Sequence, residues 1–192
     1  MPVLLIMNQQ NKEYLLQLSR RTLEKYFQNK GILNVEEDDL DNSLKEKKGV
    51  FVTLWKNQSL RGCIGSLEGT KPIFEGVIEN TLASALYDPR FSPLSKEELK
   101  DIKIEISIIE PLKKLPDFKK EKDLLDYLDK NKPGLLIKKG IFQATFLPQV
   151  WEELRSPELF LSHLCQKAGL PPNEWKNKDL EMFEYEVDVF RE

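Results

Sequence analysis

The six residues from Leu60 to Gly65 read Leu-Arg-Gly-Cys-Ile-Gly and place a cation, a thiol and two glycines in one short stretch. A cysteine thiolate can act as a nucleophile, a ligand or a redox group. The glycines beside Cys63 leave the backbone bare, so that another group can approach the sulfur closely. This stretch is therefore the first candidate for a chemical site.

Arg61 stands two residues before Cys63, and residues two apart in an extended strand project from the same face. A guanidinium beside a thiol stabilises the thiolate, which is the reactive form of cysteine. We therefore expect Arg61 to lower the pKa of Cys63. The alternative is that Cys63 is a small buried hydrophobe, because cysteine often serves as one.

Asp88 and Arg90 belong to a second dense cluster, Asp-Pro-Arg-Phe-Ser-Pro at residues 88–93. The two prolines restrict the backbone around the charged pair. The pair can form a rigid binding corner, or it can be a local ion pair that pins a turn. Both interpretations remain open from the sequence.

The only histidine, His163, stands two residues before the second cysteine, Cys165. Residues i and i+2 of a helix point apart, so the two are not a natural chelating pair, and we expect neither a metal ion nor a cofactor. His163 can act as a general base or proton shuttle near Cys63, or it can be a packed helix histidine. The common motifs for phosphate loops, dinucleotides, zinc ribbons and serine hydrolases are absent from the sequence.

The composition is that of an ordinary globular protein. The 192 residues are 40% hydrophobic and 32% charged, and we expect one domain over residues 1–192 with two lobes. The net charge of −3 argues against a broad basic face for nucleic acid. A local basic patch, which we interpret as a solvated face, consists of Lys113, Lys114, Lys119, Lys120 and Lys122.

The sequence favours a cytoplasmic location. The two cysteines are far apart and make no disulfide framework, which fits a reducing compartment. The apolar start at residues 1–7 has no basic region before it, so we do not interpret it as a secretory signal. No apolar run is long enough to span a membrane.

The hydrophobic pattern predicts the elements that position these residues. Strands at 49–55 and 60–66, joined by a connection of hairpin length, place Cys63 on the second strand. Strand pairs mixed with helices indicate the α+β class, with an antiparallel sheet flanked by helices. The pattern also predicts helices at 10–30 (closed by Gly31), 72–87, a short one after Ser95, 123–128 and 156–169, strands at 102–110 and 183–189, and a hairpin at 135–146.

Several blocks of the sequence resemble the AMMECR domain family. The motif at residues 60–65 resembles the family signature, and Ser-Ala-Leu-Tyr-Asp-Pro-Arg-Phe at 84–91 resembles its second block. The blocks Phe-Leu-Pro-Gln-Val-Trp at 146–151 and Phe-Leu-Ser-His-Leu-Cys-Gln-Lys-Ala-Gly-Leu-Pro at 160–171 resemble its bacterial and archaeal branch, AmmeMemoRadiSam system protein A. The blocks occur in the family's order and span most of the chain from Gly49 onward.

The resemblance implies an α+β fold with a larger and a smaller lobe, and a cleft between them near the cysteine motif. It implies association with a Memo-like protein and a radical-SAM protein. Two hypotheses follow: a thiol-dependent enzyme or enzyme subunit, and a non-catalytic protein-interaction or adaptor domain. The residues that the resemblance assigns are Cys63, Arg61 and His163 for catalysis, and Gly62, Gly65, Asp88 and Arg90 for binding.

Overall fold

A computed structural model describes residues 7–192, so most of the apolar start lies outside the described residues. The chain divides into two compact units. The first consists of two segments, the chain up to Ile109 and Asp188–Glu192, and the second is Glu110–Val187. Antiparallel sheets and helices occur in both units, which confirms the α+β class. None of the described helices is both long and apolar enough to cross a membrane.

The elements are numbered in chain order. The helices are α1 (Gln9–Asn29), α2 (Ile73–Leu86), α3 (Glu121–Asn131) and α4 (Pro157–Lys167). The strands are β1 (Gly49–Lys56), β2 (Ser59–Ser66), β3 (Ile102–Ile109), β4 (Lys113–Lys114), β5 (Gly134–Lys139), β6 (Phe142–Phe146), β7 (Glu181–Tyr185) and β8 (Val187–Arg191). Short 3-10 helices lie at Asn42–Lys45, Lys96–Asp101, Pro148–Glu152 and Glu174–Lys176.

The first unit contains a four-stranded sheet in the order β2-β1-β3-β8. Side chains alternate across a strand, so every second residue of β1 and β3 faces the same side. The inward set includes Val52 on β1 and Ile106 on β3, and it packs with Leu18 of α1 and Val77 of α2 in one core. The other face of β1 and β3 carries the polar residues that matter for the candidate site.

Helix α1 begins where the side chain of Asn8 accepts the backbone N–H of Asn11 at 2.8 Å. The helix ends at Asn29, and the left-handed residue that closes it is Lys30, with a φ of 59°, and not Gly31 as the sequence predicted. The side chain of Asn29 accepts the N–H of Gly31 at 2.9 Å, and this bond stabilises the turn one residue beyond the left-handed position. The predicted helix boundary is therefore wrong by one residue.

The second unit has its own sheet, in the order β4-β7-β5-β6, and its own core. The ring of Trp151 stacks on that of Phe160 with centroids 3.8 Å apart. Cys165 of α4 is fully buried in this core. Each unit thus buries a separate set of apolar side chains.

The single strand predicted at 183–189 is wrong, because the chain forms two strands there. Strand β7 belongs to the second sheet and β8 to the first. Glu186 separates them, and its carbonyl accepts the N–H of Glu110 at 2.9 Å. The alternation of apolar and acidic residues continues across this break and gives no signal of it.

Candidate functional site

Cys63 lies on β2 directly opposite Thr53 of β1, and Thr53 lies opposite Glu105 of β3. The hydroxyl of Thr53 donates to the Cys63 Sγ at 3.2 Å. Residues directly opposite each other share a face, with Cβ atoms about 5 Å apart. The thiol, the hydroxyl and the carboxylate therefore form a row across three strands, on the face away from α1 and α2; we call it the Cys63 row.

The backbone of Cys63 is capped by the second cluster. Its N–H donates to Asp88 Oδ2 at 2.8 Å, and its carbonyl accepts from Arg90 Nη2 at 3.2 Å. Strand β2 is an edge strand, whose outward N–H and C=O groups have no neighbouring strand. Asp88 and Arg90 take the place of that strand, and they hold the backbone at the thiol in one position.

Asp88 and Arg90 are also bound to each other. Arg90 donates from Nε to Asp88 Oδ1 at 3.0 Å and from Nη2 to Oδ2 at 2.7 Å. The Asp88 side chain is 1% exposed, whereas that of Arg90 is 54% exposed. Hydrogen bonds from Arg90 hold the pKa of Asp88 far below its usual range. The pair is thus a local ion pair that pins the turn, and it still presents one edge of a guanidinium to solvent.

Arg61 does not lie beside the thiol in the way its spacing predicted. The register of β1 with β2 shifts between Leu54 and Trp55, so Arg61 occupies a β-bulge and the strict alternation from Cys63 is interrupted. Arg61 instead binds Glu98 through both Nε and Nη2, each at 3.0 Å. The side chain predicted to support the thiolate therefore supports a carboxylate.

Glu98 is a site residue that the sequence analysis missed. Besides Arg61 it accepts from Lys56 Nζ at 2.9 Å and from the N–H of Ser95 at 3.0 Å. The hydrogen bonds from Arg61 are the main reason that the pKa of Glu98 falls to about 2. The Ser-x-x-Glu pattern at residues 95–98 is that of a capping box and accounts for the bond to Ser95, but it does not indicate the partners on β1 and β2.

The pKa of Cys63 is raised, which overturns the expectation of a lowered value. Burial is the main cause, and the carboxylates of Asp88 and Glu105 add to it. The hydrogen bond from Thr53 and the charge of Arg90 act in the opposite direction but do not outweigh burial. Cys63 is therefore a neutral thiol at neutral pH.

The two glycines of the motif are required by packing within the chain. A Cβ on Gly62 would lie 2.1 Å from the carbonyl oxygen of Ser84, and a Cβ on Gly65 would lie 2.4 Å from the carbonyl oxygen of Val50. Other backbone segments thus occupy the space that the missing side chains leave. A role of either glycine in contacting a ligand stays a prediction.

Ser84, near the C-terminal end of α2, is a second site residue that the sequence did not indicate. Its hydroxyl donates to the carbonyl of Val52 at 2.7 Å and accepts the N–H of Ile64 at 2.8 Å. It thereby bridges β1 and β2 one residue after Cys63. The family block at residues 84–91 begins at this serine, but its residue type does not distinguish it from any other small helix residue.

His163 and Cys165 belong to the second unit. His163 is exposed on α4, so it is not a packed core histidine, and its predicted role toward Cys63 stays a prediction. Cys165 is fully buried, and burial raises its pKa. Among residues 7–192, no three His, Cys, Asp or Glu side chains are grouped so that they could hold a metal ion.

Comparison with known proteins identifies the class to which this fold and motif belong. The AMMECR1 family model matches residues 16–190. The chain therefore belongs to the AMMECR1 family, as the sequence blocks predicted.

Similar proteins come from archaea. Protein MK0488 of Methanopyrus kandleri is 38% identical over 188 residues, which are 94% of this chain and 87% of that protein. Protein TK0174 of Thermococcus kodakarensis is 36% identical over 193 residues, covering 94% and 89%. The crystal structure of the uncharacterized protein PH0010 from Pyrococcus horikoshii matches with a TM-score of 0.86 and 32% identity, covering 96% of this chain and 93% of that one.

Proposed function

We propose that this chain is a thiol-dependent enzyme, or the thiol-bearing subunit of one, with Cys63 as its reactive group. The observation that carries the proposal is the contrast between the two free cysteines. Cys165 is fully buried among apolar side chains, as a structural cysteine is. Cys63 is only half-buried, and it is surrounded by a hydroxyl, two carboxylates and a guanidinium.

The Cys63 row supplies the groups that a neutral thiol needs. Burial raises the pKa of Glu105, although Arg191 lies 3.8 Å away and acts in the opposite direction. A carboxylate with a raised pKa is a better proton acceptor, so Glu105 is the candidate base for the thiol proton. Thr53 lies between the two in the row, and its hydroxyl would have to turn from donating to the Cys63 Sγ to accepting the thiol proton before it could donate to Glu105. The thiol would thus be deprotonated when a substrate is bound, and not in the free protein.

The family resemblance supports further parts of the proposal. We propose that the chain acts with a Memo-like protein and a radical-SAM protein, and that residues 1–192 act as one AMMECR domain. We also propose a cytoplasmic location, because both free thiols stay reduced there.

A second candidate is a non-catalytic docking domain for those partners. The binding of Arg61 to Glu98 favours it, since the motif's cation then shapes the surface and does not activate the sulfur. In that case Cys63 would have only a structural role in the edge strand β2.

Alkylation kinetics test the reactive thiol. Iodoacetamide added to native protein, with peptide mass mapping, reports both cysteines in one sample. We expect Cys63 to react with a midpoint above about pH 8.5, and Cys165 to react only after unfolding. The Arg90→Gln variant should move the midpoint of Cys63 to higher pH, because Arg90 lowers the thiol pKa. The control variant Arg155→Gln removes an exposed arginine of the second unit. It should leave the midpoint of Cys63 alkylation unchanged.

A midpoint well below pH 8 would contradict the neutral resting thiol, and protection of Cys63 equal to that of Cys165 would contradict a reactive role. Product analysis then separates the two candidates. Cells that produce the chain with both partners are compared by mass spectrometry for wild type, Cys63→Ala and Cys165→Ala. A product lost only in Cys63→Ala supports the enzyme. Identical products, with both partners still copurifying, would support the docking domain instead.

A further inference from the structure

A cavity of about 750 Å³ lies in the second unit, away from the residues of the Cys63 row in the sequence. It is lined by the segment that contains β4 and leads into α3, and by the segment that leads into β7. Cavities of about 300–1,000 Å³ are typical of sites for small organic ligands. Its volume lies within this range.

The lining of this cavity is basic although the protein is acidic. It carries five lysines and three carboxylates, a formal charge of +2, whereas the whole chain has a net charge of −3. The lysines include three of the five that the sequence analysis assigned to a solvated face. The lysines that line the cavity are Lys114, Lys119, Lys120, Lys176 and Lys178.

Two of the lining carboxylates are already bound to lining lysines. Glu181 lies 3.5 Å from Lys114, and Glu121 lies 3.0 Å from Lys176. Within the part of the chain that the structure describes, the side-chain ammonium groups of Lys119, Lys120 and Lys178 make neither an ion pair nor a hydrogen bond. The cavity thus carries ammonium groups that have no anionic partner in the protein, and an anionic ligand can bind them.

The wall of the cavity is apolar. Leu115, Leu124 and Leu180 line it and are buried in the core of the second unit. Trp175 lines it as well, with the ammonium group of Lys176 5.0 Å from its ring centroid. A ligand that fills this space meets apolar side chains on one side and ammonium groups at the rim. It therefore needs an organic body as well as negative charge.

We infer that this cavity binds a small organic polyanion, one that carries phosphate or carboxylate groups on an organic body. Phosphates and carboxylates share the charged oxygens that the lysines recognise. The inference does not depend on Cys63 or on the function proposed above.

Isothermal titration calorimetry of the whole chain, in EDTA and at low salt, tests the inference. The probes are ATP, citrate, inorganic phosphate and adenosine. We expect ATP or citrate to bind at least about tenfold more tightly than inorganic phosphate, because only they add an organic body. Adenosine, which has no charge, should not bind. ATP binding alone would assign phosphate as the anionic group, and citrate binding alone would assign carboxylate.

The double variant Lys119→Gln/Lys178→Gln should weaken that binding at least about fivefold, because it removes two unpaired charges at the rim. The matched control Lys113→Gln/Lys130→Gln removes two exposed lysines of the same unit that do not line the cavity, and it should change binding less than about twofold. Circular dichroism checks that both variants fold.

Three results would overturn the inference. They are binding of none of the anions, equal weakening in the two double variants, and tighter binding of a hexaglutamate peptide than of every small anion. The second result would show attraction to the overall charge, and the third would show a groove for an acidic protein segment.

Discussion

At the scale of single residues, Glu98 holds the motif strand in position. It binds Arg61 in the β-bulge of β2 and Lys56 at the end of β1, while its own segment begins at Ser95. A carboxylate that accepts several charged hydrogen bonds resists protonation, and this explains why the pKa of Glu98 is about 2. The stability of the first unit should therefore fall when the pH becomes low enough to protonate Glu98.

We predict that Glu98→Gln removes part of the acid sensitivity of the protein. The folded pKa lies below the unfolded value of about 4.3, so Glu98 stabilises the fold above that pH and loses this effect as the pH falls toward 2. By pH 3 the wild type should have lost about 2 kcal/mol more of its free energy of unfolding, relative to pH 7, than the variant. Urea denaturation at pH 7, 5, 4 and 3 measures the difference. The exposed Glu37 supplies the control variant Glu37→Gln, which should follow the wild type.

Equal pH profiles for wild type and Glu98→Gln would show that the ionised form of Glu98 adds nothing to stability. At neutral pH the variant should also be less stable than the wild type, because Gln presents an amide in place of a charged partner for Arg61. Other carboxylates with lowered pKa values, including Asp88, titrate in both proteins and cancel in the comparison.

The site residues that were predictable from the sequence are those that stand in clusters of reactive or charged residue types. Cys63, Asp88 and Arg90 stood in two dense clusters, and the structure brings them into contact. The partner of Arg61 was not predictable, because a β-bulge interrupts the alternation of side chains and Gly62 marks a bulge or a close approach equally well. Glu105 and Thr53 were not identified as candidates, since one polar residue in an alternating strand is usual.

At the scale of elements, the contact between α2 and β2 determines where the motif lies. Gly62 faces the end of α2, where a Cβ would meet the backbone oxygen of Ser84 at 2.1 Å. A backbone atom cannot move aside as a flexible side chain can. The position of β2 against α2, and with it the position of Cys63, therefore depends on this glycine.

We predict that Gly62→Ala destabilises the protein by about 3 kcal/mol, because β2 must move away from α2 to make room. Gly76→Ala is the matched control. Its Cβ would contact only the side chain of Val50, at 3.2 Å, and it lies inside α2, where alanine is favoured over glycine. Gly76→Ala should stay within about 1 kcal/mol of wild type. Urea unfolding compares the two, and equal stability of both variants would contradict the close packing of α2 on β2.

The elements that were predicted correctly are those in which apolar residues recur regularly over many positions. Helices α1 and α2, strand β3 and the hairpin of β1 with β2 all match their predicted positions closely. Strand β4 was missed because it has two residues and follows soon after a proline. The break between β7 and β8 was missed because no glycine or proline marks it, and local patterning carries no information about which sheet a strand joins.

At the scale of the whole molecule, the chain returns to the first unit after it has completed the second. Strand β8 closes the order β2-β1-β3-β8, and Phe190 packs against the core of the first unit. Asp188 binds Lys12 at 2.6 Å, and Glu192 binds Arg20. The last five residues of the chain therefore complete a core whose other residues all precede Glu110.

We predict that a chain ending at Val187 loses order in the first unit and keeps it in the second. The deletion removes the Phe190 contact and the bond from the Glu192 N–H to the Ile104 carbonyl, at 3.0 Å. The free energy that protects the β3 amides should fall by about 2 kcal/mol, which speeds their hydrogen exchange about thirtyfold. Strand β5 packs on a different core, so its amides should exchange as in wild type. Hydrogen–deuterium exchange read by mass spectrometry resolves both strands in one sample.

The control for this deletion is Val189→Ala, which keeps β8 but trims an exposed side chain. It should leave the exchange of β3 and β5 unchanged, because the strand and its inward contacts remain. Unchanged exchange of β3 in the shortened chain would mean that β8 is not part of the stable sheet. Equal acceleration in β3 and β5 would mean that the two cores open together, so that the chain unfolds as one cooperative unit despite its two separate sets of buried side chains.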